Sequence, residues 1–157
     1  MERTLVLLKP DAVQRRLVGR IVGRLEAKGL KVVGMKMVTV SPADARAMYA
    51  EHEGKDFHAP LVEFLTSGPS VAAVVEGVEA IAVVRRLLGD TNAREAAGGT
   101  VRGDLALSRR HNLAHGSDSP EAAEREIELL FRPDELADYE LTTDRWVYGR
   151  LADGGRT

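Results

Sequence analysis

The chain has 157 residues, 44% of them hydrophobic and 29% charged, with a formal net charge of −2. That length accommodates one domain with a substantial core, and the near balance of charge excludes a general pull towards nucleic acid or an anionic membrane. No cysteine is present, which excludes a disulfide framework and a thiolate metal site.

The apolar run near the N-terminus, Leu5 to Leu8, is too short for a signal-peptide core or a membrane span, so a cytoplasmic chain is expected. Thr4-Leu5-Val6-Leu7-Leu8 reads as a strand buried on both faces. Lys9-Pro10-Asp11 ends it, and Pro10 holds Lys9 extended, so its ammonium emerges at the strand's end. Leu17, Ile21 and Leu25 recur every fourth residue and Gly29 follows as a stop, which predicts a helix over Val18 to Lys28. Leu30 to Val40 is expected to be a longer strand, with Val33, Met35 and Met37 on one face and a bulge at Gly34. Ser41-Pro42 opens a second helix, expected to reach about Glu51. The stretch from His52 to His58 is a polar connection. Its histidines miss the helical i, i+4 ligand spacing, so it reads as solvated loop and no metal is assigned.

Leu61 to Leu65 predicts a short helix stopped by Ser67-Gly68-Pro69. Val71 to Val75 predicts a strand, and Val78 to Leu88 a helix with Ile81, Val84 and Leu88 inward and Arg85 near its C-terminal end. Gly89 to His111 has little periodicity, and loops of that length in compact domains are usually functional or disordered. It holds Thr91, Gly98-Gly99-Thr100 and Arg102-Gly103-Asp104. Glycine turns, a hydroxyl and a guanidinium fork are the parts of an anion site. A short strand at Leu113-Ala114 follows, then His115 in a turn, then a helix to Leu130 broken at Arg132-Pro133. Asp134 to Val147 is expected to form one more turn-helix element anchored by Leu136, Tyr139 and Trp146, and residues 152–157 to fray. Reduced to its core, the order is βαββαβ. It predicts a ferredoxin-like α/β sandwich: an antiparallel four-stranded sheet with a helical insertion after the second strand and a long loop. Residues 1–157 read as a single domain.

The stretch around His115 carries the chemistry. Ser119-Pro120 is a helix start, a hydroxyl at the cap and Pro where no intrahelical N–H is needed. Ala123, Ile127 and Leu130 then mark one buried helix face, and Glu126 comes back towards His115 about two turns in. A neutral imidazole serves as nucleophile, base or metal ligand. The string Asn112-Leu113-Ala114-His115-Gly116-Ser117-Asp118-Ser119 resembles the active-site stretch of nucleoside diphosphate kinases. Lys9-Pro10-Asp11, Ser67-Gly68-Pro69, Gly89-Asp90-Thr91-Asn92 and Thr100-Val101-Arg102-Gly103-Asp104 resemble the same family in register, so the likeness runs from Glu2 to about Tyr148.

The resemblance implies transfer of the γ-phosphoryl group of ATP or another nucleoside triphosphate to a nucleoside diphosphate, by a ping-pong route through a phosphohistidine. It implies His115 as the nucleophile, phosphorylated on Nδ1, with Glu126 orienting the ring through the other nitrogen and Ser117 supporting Glu126. Lys9 would contact the ribose hydroxyl and the transferring phosphate, and Tyr49 would lie beside that phosphate and the histidine. Phe57 would stack on the base with Leu61 as an apolar contact. Arg85, Thr91 and Arg102 would clamp phosphates, and Asn112 would bond the ribose. Mg²⁺ would arrive on the nucleotide phosphates with no cage of protein ligands. A homo-oligomer is implied, a hexamer before a tetramer or dimer, with no membrane or specific nucleic-acid partner.

Four positions depart from the family pattern: Met48 where His is usual, His58 for a second aromatic, and Ala93 and Gly98 for prolines of the long loop. None removes a residue of the chemistry. The missing prolines are expected to loosen the loop and to bear on assembly and thermal stability. Other classes fit less well. No Gly-x-Ser-x-Gly elbow supports a serine hydrolase, and no phosphate-binding Gly-x-x-x-x-Gly-Lys loop is present. A non-catalytic regulatory module or a phosphohistidine relay protein is the remaining alternative.

Overall fold

The computed structural model describes residues 1–149. The expected fraying at 152–157 lies outside the described residues. Strand β1 (Glu2–Leu8) runs directly into a short helix α1 (Pro10–Gln14), followed by α2 (Val18–Ala27) and β2 (Lys31–Val38). Then come α3 (Pro42–Met48), a 3-10 turn at Ala50–His52, α4 (His58–Thr66), β3 (Ser70–Gly77) and α5 (Ala80–Leu88). The long loop contains α6 (Val101–Leu105) and leads to β4 (Ala114–Gly116), α7 (Pro120–Leu130), a 3-10 turn at Pro133–Glu135 and α8 (Asp144–Val147).

Among the described residues, the strands form one sheet in the order β2-β3-β1-β4, every neighbouring pair antiparallel. The connection from β1 to β2 passes over β3, and that from β3 to β4 passes over β1. These are the two split βαβ units of the expected ferredoxin-like βαββαβ fold. Helices cover both faces. Val6 and Leu8 pack with α2, α5 and α6, whereas Leu5 and Leu7 pack with α3, α4 and Phe131 after α7. Strand alternation sends successive side chains to opposite faces, so an unbroken apolar run is what a doubly covered strand requires. Residues 4 to 8 are wholly buried, and each such Leu or Val contributes about 1.5–3 kcal/mol relative to an exposed one. No helix among the described residues is long and apolar enough to cross a membrane.

The helix caps follow the sequence signals. Ser41 Oγ accepts from Asp44 N at 3.1 Å and Ser119 Oγ from Ala122 N at 3.1 Å, each with Pro at the first helical position. Several expectations need correction. Helix α1 was not anticipated, because five residues are too few to show a period. The helix opened by Ser41 stops at Met48, short of Glu51, and α4 spans 58–66, longer than Leu61 to Leu65. The bulge in β2 falls at Val33, between the pairs Val32–Val75 and Gly34–Val74. It turns Val33 into the core while Met35 and Met37 face out, 54% and 63% exposed, so these three do not share a buried face. The segment after Arg132 is two short helical turns with extended chain between them. Trp146 is 77% exposed and anchors nothing among the described residues, and the Tyr139 ring is held instead by its hydroxyl donating to Val32 O at 2.6 Å.

Candidate active site

His115 lies within β4, opposite Leu7 of β1, and not in the turn that follows the strand. Its neighbour Ala114 packs with the α2/α5 layer, so alternation turns His115 to the other face, towards α3 and α7. There it meets two partners. Glu126, on the inward side of α7, lies with Oε2 2.9 Å from His115 Nε2. Tyr49, the residue that ends α3, sets its ring edge-on to the imidazole, centroids 5.4 Å apart.

Glu126 is buried, which pushes its carboxyl up. Hydrogen bonds from His115 and Ser117, with the Arg125 charge nearby, more than offset this, so its pKa lies below the ordinary value and it is ionised at neutral pH. An ionised carboxylate can only accept, so Nε2 carries the proton and donates it. The lone pair is then on Nδ1. Ser117 Oγ donates to the same Glu126 oxygen at 2.7 Å and accepts from the Leu5 amide at 3.4 Å, which ties the carboxylate to the centre of the sheet. Burial, then the Glu126 charge, raises the Tyr49 phenol, so it stays protonated.

The edge where β1 ends and β4 begins collects the cations. Lys9 is 5% exposed and its Nζ donates to Asn112 Oδ1 at 2.8 Å. Burial first, then the Arg102 charge, lowers Lys9 to about 8, with Asp11 pulling the other way. The Asn112 amide nitrogen donates to Thr91 O at 3.0 Å and Arg109 O at 2.9 Å, joining both ends of the long loop. Arg102, on α6, is buried. It donates to Asn112 O at 3.2 Å, Gly89 O at 2.7 Å and Ala114 O at 2.6 Å. Burial lowers its pKa to about 10, with the charge of Arg85 acting in the same direction. So Arg102 braces the loop as well as charging it. The Arg85 and Thr91 side chains are exposed and make no hydrogen bond among the described residues.

Phe57, 46% exposed, lies at the start of α4, with Leu61 half-buried one turn on. Between Phe57 and Tyr49 stands His52, stacked on Tyr49 at 6.1 Å and edge-on to Phe57 at 5.3 Å. A line of rings thus runs from the surface to His115. The sequence places His52 in a solvated loop, whereas the structure places it in this ring line. Its i, i+3 spacing from Tyr49 was the available signal, but the 3-10 turn that makes the stack was not readable. Asp11 was also missed. It lies in the Lys9-Pro10-Asp11 triplet, where Pro10 turns the chain and brings its carboxylate back to the Leu113 amide at 3.1 Å.

The site therefore combines an imidazole with one nitrogen committed and one free, cations at a strand end, and an exposed aromatic platform. It defines a phosphoryl-handling enzyme on a ferredoxin-like sheet. A family model described as nucleoside diphosphate kinase matches residues 2–136. The nucleoside diphosphate kinase of Archaeoglobus fulgidus is 55% identical over 148 residues, 94% of this chain and 98% of that relative. That of Thermomicrobium roseum is 54% identical over 149 residues, 95% of this chain and 100% of its own length. A solved structure of a halophilic nucleoside diphosphate kinase from Halobacterium salinarum in complex with CDP is similar at TM-score 0.91 and 52% identity, covering 94% of this chain and 98% of that one. The chain belongs to the nucleoside diphosphate kinase family. It is a phosphotransferase that passes a terminal phosphoryl group from a nucleoside triphosphate to a nucleoside diphosphate.

Proposed function

We propose that the transfer runs in two half-reactions through His115. The Nδ1 lone pair attacks the γ-phosphorus of ATP, the bond to the β-phosphate oxygen breaks, and the nucleoside diphosphate leaves with that electron pair. A second nucleoside diphosphate then attacks the phosphohistidine through its terminal phosphate oxygen, and the imidazole recovers its lone pair. The observation that carries this reading is the 2.9 Å contact from Nε2 to Glu126, which leaves Nδ1 as the free nitrogen. Positive charge develops on the ring as the N–P bond forms, and the ionised Glu126 stabilises it. Tyr49, protonated beside the ring, serves as a fixed donor.

Phosphoryl transfer depends mostly on alignment and charge neutralisation. Lys9, Arg85, Thr91 and Arg102 take the phosphates, Lys9 and Asn112 the ribose, and Phe57 with Leu61 the base. Stacking reads little base identity, which suits broad nucleotide use. The donors gathered here are cationic, and no group of three or more His, Cys, Asp or Glu among the described residues could hold a metal ion. That donor set fits Mg²⁺ carried in on the nucleotide, where it would offset phosphate charge beside Lys9, Arg85 and Arg102. The whole chain, 1–157, is read as one catalytic domain working in the cytoplasm.

A homo-oligomer, a hexamer in preference to a tetramer or dimer, completes the reading. Its support is the outer edge of β2, which holds Ala137 N–H on Val33 O at 2.7 Å but carries Met35 and Met37 exposed beyond that point among the described residues, a surface suited to pairing with a second copy. Sedimentation of the purified chain gives the number of copies.

The test is incubation with γ-labelled ATP and Mg²⁺, then a chase with GDP, beside His115→Asn. Wild type gains an acid-labile, base-stable label that GDP removes as GTP, and the variant gains none. Label that forms but does not pass to GDP would indicate a relay protein. A folded wild type that takes no label would leave only a non-catalytic module.

A further inference from the structure

The geometry points to Asp11 as a positioning residue for phosphoryl transfer, acting on His115 through the turn that precedes it; the inference rests on the reading of His115 as the phosphorylated residue. Leu113, two residues before His115, has φ +74°. It is fully buried, so its side chain has no freedom to choose another conformation. The Ala114 amide donates back to Asn112 O at 2.9 Å, which makes residues 112–114 a γ-turn centred on Leu113. A positive-φ γ-turn at a non-glycine residue is rare and strained, and it persists only where its surroundings over-determine it.

Those surroundings are on both sides. From one side, Arg102 donates to Asn112 O and Ala114 O, the carbonyls flanking the turn. From the other, the Lys9-Pro10-Asp11 triplet makes three bonds to two residues. The Lys9 amide donates to Leu113 O at 2.8 Å, Lys9 Nζ donates to Asn112 Oδ1 at 2.8 Å, and Asp11 Oδ2 accepts from the Leu113 amide at 3.1 Å. Without Asp11 the Leu113 N–H has no acceptor among the described residues, and a buried amide without a partner favours another backbone path. The turn sets where β4 starts and hence where the His115 ring is presented. An error of about 1 Å in that presentation is enough to cost on the order of 10²-fold in rate. Asp11 touches neither the ring nor the Phe57 platform, and although its charge supports that of Lys9, at pH 6 Lys9 is protonated with or without it, so there its effect belongs in the transfer rate and not in nucleotide binding.

Three enzymes are compared at pH 6 in single-turnover phosphorylation over a range of ATP concentrations up to saturation: wild type, Asp11→Ala and Asp11→Asn. The Asn variant keeps an oxygen acceptor without the charge. Hydrogen exchange at the Leu113 amide is followed in parallel. Asp11→Ala is expected to phosphorylate His115 about 10–100-fold more slowly with KM for ATP within about threefold of wild type, and to exchange the Leu113 amide faster. Asp11→Asn is expected to keep the rate within about threefold and to keep the amide protected. A folded Asp11→Ala that phosphorylates at the wild-type rate overturns the proposal. So does a loss that falls on KM alone. If Asp11→Ala does not fold, Asp11→Asn decides: a loss of tenfold or more in a folded Asn variant shows that charge matters and the bond to Leu113 does not. Failure of the underlying reading is distinguishable, because wild type would then carry no label on His115.

Discussion

One Glu126 oxygen serves two donors at once: Oε2 lies 2.9 Å from His115 Nε2 and 2.7 Å from Ser117 Oγ. The shared oxygen fixes the tautomer of the ring and the rotamer of the carboxylate together. Glu126→Gln lets the side-chain amide present N–H to Nε2, which then accepts and forces the proton to Nδ1. Phosphohistidine formation is expected to fall on the order of 10²-fold with the fold retained. Rapid-quench labelling measures it, and a loss under about threefold would show that the tautomer does not limit the reaction.

Lys9 titrates at about 8 in the folded chain, against an ordinary value of 10.5, chiefly because it is buried. Its charge is therefore present below pH 8 and lost above it, so KM for ATP is expected to climb as pH rises through that value. The stability effect has a definite sign. Between about 8 and 10.5 the unfolded chain binds the extra proton, so folding stability attributable to Lys9 rises with pH, and below 8 the burial cost is present in full. Relative to Lys9→Met, wild type should gain about 2 kcal/mol between pH 7 and pH 9.5, read from urea midpoints at the two values.

Glu76 on β3 is gripped by Lys31 Nζ at 2.6 Å and Arg3 Nε at 2.8 Å. Burial raises its pKa, but the two cations more than offset this, so the folded value lies below the ordinary one. A depressed carboxylate contributes stability above its unfolded pKa and loses it as pH falls through the folded value. Glu76→Gln should cost about 1–3 kcal/mol at pH 7, with the gap to wild type closing as pH drops below about 4.5. A constant gap down to acid pH would place the loss in packing instead.

The long loop offers a contrast between two glycines. A Cβ at Gly103 would fall 2.0 Å from Ala97 O, a backbone atom, whereas one at Gly98 would meet nothing within 4 Å. Gly103→Ala should therefore destabilise by about 1–3 kcal/mol or more and disturb Arg102 beside it. Gly98→Ala should stabilise by about 0.4–1 kcal/mol through the unfolded chain. Differential scanning calorimetry of the two variants reads both signs. Ala93, where a second proline is missing, is only 3% exposed and packs in the core, so it holds its part of the loop without the ring.

The chain order, the caps at Ser41 and Ser119 and the doubly buried β1 were legible from sequence, because each rests on a local pattern. A cap needs only a hydroxyl and the next few amides. A doubly covered strand needs only an unbroken apolar run. The His115 string and the Lys9 triplet point to chemistry through their resemblance to one family, since a lone His before a helix or a Lys beside a turn is by residue type more often a surface group. What tertiary structure decided was everything set by contacts distant in sequence. Helix α6 was hidden because five residues are little more than one turn, too few for an apolar period to repeat, and it forms around the bonds Arg102 makes to carbonyls of Gly89, Asn112 and Ala114. The bulge at Val33 was misplaced because register is fixed by the facing strand, and the slip reversed the side of Met35 and Met37. The free nitrogen of His115, the ring line through His52 and the hold of Asp11 on Leu113 depend on β1, α3, α4 and α7 meeting at one strand end. Residue type set which groups react, and packing set which atom of each is left free to do so.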